Sequence, residues 1–515
     1  MSNHNYTTEN PFISSEIKDS DLNRNNPAVE FEKYSIGFEE IKTEAEQLLK
    51  KSDATPHTDI LYKLTEQFES LDFEAMANPH NSENFKLNTK HFLVLSIENI
   101  LQIAENNYWG LCKKHDFIYL YNGTYWAEID KETFQKFLGE AAEKMGVARF
   151  SARYYQFREQ LFKQFLATAY LPSPDSNKDM VLINLQNGTF KINPQGTNLK
   201  PFDRSDFITY QLPFEFNPKA KAPLFQEYLN KVLPDKECQR ILAEYLGYVF
   251  IRHGSNTLKE EKALILYGKG ANGKSVFFEI ATAMFGRENV SNFSLQSLTE
   301  EKGFYRAKIA NKLVNYASEI SSKLETSMFK QMVSGEPVEA CLKYGQPFTM
   351  SNYAKFIFNC NELPKDVENT NAYFRRFLII PFDVTIPENE QDKQLSYKII
   401  DTELSGVFNW VLEGLNRLLI QKRFSECKAA QKSVEKYKIE SDSVLMFLNE
   451  LEYKVSEGNQ MPLKDIFNEY RNYCIESGFK SCSIRTFSER LRNTGYETER
   501  KSYGMAVNAE KKSFF

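Results

Sequence analysis

The stretch Gly268–Ser275 (GKGANGKS) decides the fold of this chain. It matches the phosphate-binding loop G-x-x-x-x-G-K-[ST], whose glycines let backbone N–H groups turn toward phosphate oxygens. The apolar run ALILY at 263–267 predicts a buried strand before the loop, and SVFFEIATAMF at 275–285 predicts a helix after it, with Gly286 as its C-cap. A strand, a glycine loop and a helix N-terminus together favour a triphosphate site over a simple glycine turn.

The loop residues have distinct expected roles toward ATP and Mg²⁺. Lys274 is expected to reach the β- and γ-phosphates, and the Ser275 hydroxyl is expected to bind Mg²⁺. The backbone of the whole loop is expected to contact the nucleotide, so the predicted cofactor-binding residues are Gly268, Lys269, Gly270, Ala271, Asn272, Gly273, Lys274 and Ser275.

Hydrolysis needs polar groups from outside the loop, and the sequence offers three candidates beside apolar runs. Glu319 follows the run KLVNYA (312–317) and is expected to assist Mg²⁺ and polarise water. Asn361 follows AKFIFN (354–359) and is expected to position the attacking water. A solvated carboxylate and a turn-forming asparagine are the alternative interpretations of these two residues.

The third candidate is the pair Arg375-Arg376, which stands before FLIIPF (377–382). A cation is expected to stabilise the charge that develops on the γ-phosphate, although an arginine beside a strand is often only a solvated charge. The three apolar runs, together with ALILY, predict a multi-stranded α/β sheet flanked by helices.

Composition limits the class of protein. The chain has 515 residues, so three or four domains are expected, and its net charge of −5 excludes a generally basic protein. Its seven cysteines are scattered singly, which argues against a zinc site and for reduced thiols. Neither a signal peptide nor an apolar run of membrane length is evident, so the sequence predicts a soluble, cytoplasmic protein without a membrane partner.

The composition and the predicted secondary structure change several times in the region before the loop. Residues 1–30 are polar and predicted to be disordered, and their Asp19-Ser20-Asp21 is a weak match to a metal dyad. Residues 36–105 are typical of amphipathic helices on an acidic surface, and residues 1–60 carry 12 acidic against 6 basic side chains. Hairpins are predicted at Asn122-Gly123 and at Asn187-Gly188, and helices at 224–233 and 238–251 with aromatic residues in the core.

The last 75 residues predict a small separate domain. Helices are expected at 441–451, 462–477 and 483–493, followed by a hairpin over 496–507 with Gly504 at its turn. Three helices plus a hairpin is the winged-helix pattern. In the third helix Ser483 suits the N-cap, while Ile484, Phe487 and Leu491 are expected to face a core.

The opposite face of that third helix carries Arg485 and Arg492, which are candidates for contacts to DNA phosphates or guanine. Residues 479–512 hold 8 basic against 4 acidic side chains, which favours nucleic-acid contact here. A protein-docking domain with a solvated basic face remains the alternative.

The ordered string GKGANGKS…NYASE…SGEPVEA…FIFNCNELP…NAYFRRFLIIPFDV resembles the superfamily 3 helicases. It is most similar to the group of phage, plasmid and mobile-element primase–helicases that includes the poxvirus primase–helicase. The segments NGTFKI, DFITYQLPFEFNPKAKAPLFQEYL and EYLGYVF also resemble the domain that precedes the ATPase in that group. The resemblance covers roughly residues 110–515.

This resemblance implies a hexameric, ring-shaped, ATP-driven helicase of the AAA+ type. By position it implies that Lys274 and Ser275 form the first motif, Glu319 the second and Asn361 the sensor. It makes Arg376 the arginine finger that reaches a neighbouring subunit, with Arg375 beside it. The group often has a basic residue near Ala340-Cys341 on the hairpin that grips DNA in the pore; here the nearest is Lys343.

The resulting prediction is a multidomain α/β protein. Its segments are an acidic helical region (1–105), an α+β domain (106–255), the AAA+ P-loop ATPase core (256–395), a helical extension (396–440) and a winged-helix domain (441–515). Only a segment of about 105 residues, with an excess of acidic side chains, precedes the resemblance. No primase activity is therefore predicted, and a separate primase or other replication proteins are possible partners.

The predicted function is that of a replicative DNA helicase, a homo-hexamer acting on single-stranded DNA and on origin duplex. The alternatives are a nucleotide-controlled origin-binding initiator and a DNA-dependent ATPase that remodels complexes without processive unwinding.

Overall fold

The computed structural model describes residues 55–80, 82, 85–114, 117–169, 178–194, 196–318, 320, 325–343, 345–364, 367–368 and 370–511. The segment 1–30, with its Asp19-Ser20-Asp21, and the predicted catalytic residue Glu319 lie outside the described residues.

The first described part is a helical layer around a small antiparallel sheet. Its elements are α1 (His57–Gln67), α2 (Phe73–Ala77), α3 (Thr89–Asn106), β1 (Gly110–Lys114), β2 (Phe117–Tyr121), β3 (Trp126–Ile129), α4 (Lys131–Lys144), α5 (Arg149–Arg153) and α6 (Tyr155–Thr168). The hairpin predicted at Asn122-Gly123 joins β2 to β3. One hydrophobic core joins Ile60 and Ile97 to Phe134 and Phe165, so the boundary predicted after residue 105 does not separate two cores.

A second antiparallel sheet and two helices lead into the region of the parallel sheet. They are β4 (Val181–Leu185), β5 (Gly188–Asn193), β6 (Gly196–Lys200), α7 (Pro223–Val232) and α8 (Lys236–Tyr248). The turn between β4 and β5 is Gln186-Asn187 rather than the predicted Asn187-Gly188, because Gly188 already pairs with Leu185 as the first residue of β5. Their core is continuous with that of the following sheet.

The centre of the molecule is a five-stranded parallel sheet. Its strands are β7 (Ala263–Tyr267), β8 (Val290–Ser291), β9 (Val314–Ala317), β12 (Lys355–Cys360) and β13 (Phe377–Pro381), in the order β13-β7-β12-β9-β8. The strands are largely buried along their length because helices cover both faces, as the apolar runs predict. Strand β7 is an interior strand, with β13 on one side and β12 on the other.

Short helices and a hairpin connect these strands. They are α9 (Lys274–Phe285), α10 (Leu295–Thr299), α11 (Thr326–Ser334), the strands β10 (Val338–Cys341) and β11 (Pro347–Met350), and α12 (Asn371–Phe374). Strands β10 and β11 pair only with each other and form a separate antiparallel hairpin.

Three helices follow the sheet: α13 (Leu395–Thr402), α14 (Leu404–Gln421) and α15 (Lys428–Ser441). Helix α14 packs closely against α8. A β-carbon on Gly414 would lie 2.3 Å from the carbonyl carbon of Ala243, and one on Gly247 would lie 2.6 Å from the Leu415 side chain. Glycine at both crossing points permits this close contact. Helix α14 of the helical extension is thereby packed against α8, which precedes the parallel sheet.

The C-terminal part has its own hydrophobic core. It contains α16 (Ser443–Glu450), β14 (Tyr453–Val455), β15 (Met461–Pro462), α17 (Leu463–Glu476), α18 (Ile484–Asn493), β16 (Thr498–Lys501), β17 (Gly504–Val507) and β18 (Ala509–Lys511). The three helices and the hairpin β16–β17 fall where the sequence predicts them, with β15 added to that hairpin and β14 paired with β18. The turn is Ser502-Tyr503 rather than the predicted Gly504, because Gly504 already pairs with Lys501 as the first residue of β17. Among the helices that the structure describes, none combines the length and the apolar character needed to span a bilayer.

Candidate functional site

The glycine loop 268–273 connects the carboxyl end of β7 to the start of α9. Gly273 precedes the helix with a φ of +84°, a conformation that favours glycine. A β-carbon there would also lie 2.6 Å from the Val232 side chain. Gly268 is equally confined, since its β-carbon would lie 2.3 Å from the Phe382 carbonyl oxygen. The two glycines of the motif are thus required by the close approach of α7 and of the chain after β13.

Hydrogen bonds anchor the loop to distant parts of the chain. The Asn272 side chain donates to the Phe382 carbonyl at 3.0 Å, and the Ile386 amide donates to the Ala271 carbonyl at 2.7 Å. The Tyr228 hydroxyl donates to the Gly273 carbonyl at 2.8 Å. Sequence reasoning placed Tyr228 in the core, where it is indeed buried, but gave no sign of this contact with a loop 45 residues away.

The Lys274 ammonium group points into the loop. It donates to the Gly268 carbonyl at 2.5 Å, to the Lys269 carbonyl at 3.2 Å and to the Asn272 side-chain oxygen at 3.1 Å. Burial lowers the pKa of Lys274, and nearby Cys360 acts in the opposite direction. The loop thus encloses the lysine, while the Ser275 side chain at the helix start is exposed.

Asn361 lies beside the loop. Strand β12 pairs with β7 so that Cys360 is opposite Tyr267, and the Gly268 amide donates to the Cys360 carbonyl at 3.1 Å. The next residue, Asn361, is exposed at the same sheet edge. Strand β9, the neighbour of β12, ends there at Ala317, two residues before the position of Glu319.

The arginine pair lies at the amino-terminal ends of the strands, whereas the glycine loop of the same chain lies at their carboxyl ends. Arg376 immediately precedes β13, whose first residue pairs with Ala263 at the start of β7. The length of β7, five residues at about 3.3 Å each, therefore separates the arginines from the loop of the same chain.

The two arginines differ in exposure. The Arg375 side chain is 53% exposed and lies 2.8 Å from a Glu261 carboxylate oxygen, whereas the Arg376 side chain is 9% exposed and lies 3.5 Å from the same oxygen. Arg376 also donates to the Ser334 hydroxyl at 2.9 Å. Glu261, which the sequence analysis did not single out, therefore organises both cations. Burial lowers the pKa of Arg376, and Glu261 raises it.

Lys343 is exposed in the turn of the hairpin β10–β11. The hairpin rests on the N-terminal sheet: Leu342 and Phe348 pack against an aromatic cluster that includes Phe117 and Phe207. The Phe348 and Phe117 rings meet edge to face, with 5.2 Å between their centroids. No feature of the sequence signals this contact between distant segments.

In the C-terminal part, Arg485 and Arg492 of α18 are both exposed. The predicted N-cap is confirmed, because the Ser483 hydroxyl accepts from the Thr486 amide. The prediction for Ile484 is wrong: it is 44% exposed, because the first turn of α18 extends beyond the packed centre where Phe487 and Leu491 are fully buried. Arg490, between the two candidates, instead binds the buried Asp442 carboxylate at 3.0 Å.

Two cysteines that the sequence leaves 189 residues apart meet in the fold. The sulfurs of Cys238, in the first turn of α8, and Cys427, the N-cap of α15, are 3.4 Å apart. With the Asp235 carboxylate they form a cluster whose ligand atoms all lie within 4.8 Å of one another. The scattered spacing of cysteines therefore does not by itself exclude a ligand cluster in this fold.

Comparison with known proteins gives three family matches along the chain. A family described as "D5 N terminal like" matches residues 102–234, a family of unknown function (DUF5906) matches 266–376, and a family described as "Poxvirus D5 protein-like" matches 439–515.

Two viral proteins are also similar to the chain. A protein named "Putative helicase" from Acanthamoeba polyphaga mimivirus is 28% identical over 163 residues, covering 30% of this chain and 16% of its own length. Another of that name from Invertebrate iridescent virus 3 is 21% identical over 376 residues, covering 63% and 38%.

Two of these family matches, over residues 102–234 and 439–515, are to D5-type families, which fits the resemblance to the group that includes the poxvirus primase–helicase. This chain spans well under half the length of either relative. Among solved structures, the apo NrS-1 C-terminal region is similar, with a TM-score of 0.45 and 14% identity over 79% of this chain and 98% of that one.

Proposed function

We propose that this chain is an ATP-dependent replicative DNA helicase of a virus or mobile element. The observation that carries the proposal is the loop 268–275 with its enclosed Lys274, set between β7 and α9 and beside Asn361. A loop of this kind holds phosphates, and a polar residue at the neighbouring strand end is what water activation needs.

The residues at the loop fit ATP and Mg²⁺. The loop is shaped by two glycines that tolerate no β-carbon, and its lysine already points at oxygen acceptors, the carbonyls of Gly268 and Lys269. The same amine can donate to phosphate oxygens instead. Ser275, exposed at the helix start, and Glu319 would hold Mg²⁺, which supplies charge neutralisation at the phosphates when bound. Asn361 would orient the attacking water.

Assembly follows from the position of the arginines. Since β7 separates Arg375 and Arg376 from the loop of their own chain, a cation from this pair can serve only the loop of a neighbouring subunit. This arrangement supports a homo-hexameric ring of the AAA+ type, with Arg376 as the predicted finger. The greater exposure of Arg375 makes it the member that a neighbour reaches without rearrangement of the Glu261 ion pairs.

DNA contact would be divided between two regions. The exposed Lys343 in the β10–β11 turn would grip single-stranded DNA in the ring's pore. The exposed Arg485 and Arg492 of α18 would contact origin duplex, with the C-terminal part acting as a winged helix. A docking role for that part is the alternative.

Measurement of ATP turnover with and without single-stranded DNA, together with strand displacement on a forked duplex, tests the function. Lys274→Ala is expected to weaken nucleotide binding and abolish turnover, whereas Glu319→Gln should still bind ATP but not hydrolyse it. Lys269→Ala is the matched control, because it removes an exposed lysine from the same loop and leaves the backbone donors in place.

Turnover that is stimulated by DNA but without strand displacement would favour the remodelling ATPase. Binding of ATP without hydrolysis would favour the initiator.

A further inference from the structure

The corner between α4 and α6 carries an aromatic and basic surface that the ATPase does not use. We define the corner patch as Arg149, Phe150, Arg153, Tyr154 and Tyr155. Phe150 is 91% exposed, the most exposed large apolar side chain among the described residues, and Tyr155 and Tyr154 are 65% and 50% exposed. Three such side chains within six residues are unusual for a surface that meets only water.

The backbone under the corner patch is well packed. Ala152 and Leu161 are fully buried and Phe157 nearly so, all in the same core as α4. The two tyrosine rings meet edge to face, with 5.0 Å between centroids. The aromatic side chains are therefore presented outward by short helices whose other face is fixed in the core.

The charge around these rings is positive. Residues 144–158 contain four cations and no carboxylate. Of the two acids that flank this segment, Glu159 pairs with Lys163 at 3.2 Å. The other, Glu143, accepts two hydrogen bonds from Arg153, at 2.8 and 3.1 Å, and lies 3.8 Å from Arg149. It orients the two arginines beside Phe150 without cancelling the charge of the segment.

This combination fits one chemistry better than others. Exposed rings on which bases can stack, with arginines for the phosphates between them, are the elements of sequence-tolerant single-strand recognition. Aromatic side chains and arginines are also enriched in protein interfaces. The excess of cations over carboxylates in residues 144–158 favours a polyanionic partner instead, and the neighbouring aliphatic residues Met145 and Val147 are buried. We propose that the corner patch is a second binding site for a single-stranded polynucleotide, separate from the ATPase ring.

The proposal is tested with the full chain, without nucleotide, on fluorescent oligothymidylate and oligouridylate of about 20 nucleotides. Phe150→Ala is expected to weaken binding at least about fivefold, and Phe150→Ala with Tyr155→Ala further. Arg149→Ala should reduce the slope of log affinity against log salt by about one. The two probes show whether the site prefers DNA or RNA.

Two controls separate this site from the ATPase and from folding. Tyr62→Ala removes a tyrosine that is 66% exposed on α1, and it should leave affinity unchanged. ATP turnover without DNA should match the parent chain in every corner-patch variant, so a loss there would report damage rather than binding. Photo-crosslinking to oligothymidylate should label the peptide that holds Tyr154 and Tyr155.

Parent-level affinity in the double variant together with no crosslink in this peptide would overturn the proposal. So would unchanged affinity with altered self-association, which would make the corner patch a protein interface. A catalytically dead chain that still crosslinks at Tyr154 and Tyr155 would support the site even if the helicase proposal failed.

Discussion

Lys355 is a buried lysine whose ionisation opposes the stability of the fold. It begins β12, is 5% exposed, and donates to the Tyr248 hydroxyl at 3.2 Å, with His253 Nδ1 at 3.0 Å. Burial lowers the pKa of Lys355 from 10.5 to about 7 and holds the pKa of His253 well below its ordinary value. The fold therefore favours the neutral amine.

The sign of the pH dependence follows from this shift. Between about pH 7 and pH 10.5 the unfolded chain keeps a proton that the folded chain releases, so this group makes the protein more stable as pH rises through that window. Below about pH 7 the folded chain bears the whole free-energy cost of burying the protonated Lys355 amine, on the order of a few kcal/mol.

Lys355→Met should therefore raise the thermal midpoint relative to the parent chain most strongly near pH 6.5, and the difference should shrink toward about pH 9.5. Lost hydrogen bonds to Tyr248 and His253 add an offset that does not reverse this trend. Lys308→Met, at an exposed lysine, is the control and should show no such trend. A difference that is the same at both pH values would contradict the assignment.

At the scale of elements, the direction of β13 places Arg375 and Arg376 at the end of the sheet that is remote from the glycine loop, and this yields a prediction about both arginines. Both Arg375→Ala and Arg376→Ala should bind ATP and hydrolyse it poorly if the pair serves a neighbouring subunit. Mixing either with Lys274→Ala subunits should restore some turnover, since each mutant supplies the half-site that the other lacks.

The two arginine variants should differ in stability. Arg376 is nearly buried and bridges Ser334 and Glu261, so Arg376→Ala should also lower the thermal midpoint, whereas Arg375→Ala should leave it nearly unchanged. A protein that stays monomeric with saturating ATP and DNA would refute action between subunits.

The hairpin β10–β11 gives a second prediction at this scale. Because Phe348 packs against Phe117, the N-terminal sheet supports the hairpin that carries Lys343. Phe348→Ala should increase amide hydrogen exchange over residues 338–350 and reduce stimulation of turnover by DNA, while turnover without DNA persists. Phe348→Tyr keeps the ring and should retain most protection. Equal exchange in Phe348→Ala and the parent chain would show that the sheet does not support the hairpin.

Elements with continuous apolar or periodic patterns were predictable from sequence. The four predicted strands around the loop, the helices near 224–233 and 238–251, and the Ser483 cap all occur within a few residues of their expected places. Local signals suffice there, since periodicity and caps depend on neighbouring residues.

Contacts between distant residues could not be predicted in this way. Three such contacts depend on how the layers pack, which is not encoded locally in the sequence. They join Tyr228 to Gly273, Glu261 to the arginine pair, and Cys238 to Cys427. The misplaced Ile484 has the same cause: helical spacing gives the face of a helix but not where its partner layer ends.

At the scale of the whole molecule, the C-terminal part is the most separable unit. Its core, from Val444 to Ala509, contains no residue of the other cores. Helix α15 continues to Ser441, and Asp442 caps α16 while binding Arg490. A truncation after Ser441 therefore removes the C-terminal core intact and leaves α15 whole, packed on β13 and α8.

This truncated chain should retain ATP turnover and single-strand binding but lose any preference for origin duplex, because the positive charge of residues 479–512 leaves with α18 and the hairpin β16–β17. Within the full chain, Arg485→Ala and Arg492→Ala should each cost duplex affinity, about 1–3 kcal/mol if the lost contact was bidentate to guanine. Titration against origin and scrambled duplexes at one fixed salt concentration measures both effects.

Arg490→Ala distinguishes loss of DNA contact from loss of structure on the same helix. It removes a partner of the buried Asp442 carboxylate, so it should lower the melting temperature of the C-terminal part, unlike the two exposed arginine variants. If the truncated and full chains discriminate equally between duplexes, recognition lies outside the C-terminal part, with residues 110–250 as the next candidate, and the C-terminal part is a docking module. If Arg485→Ala and Arg492→Ala weaken all duplexes alike and reduce the salt slope, both arginines contact phosphates and origin choice resides in other side chains.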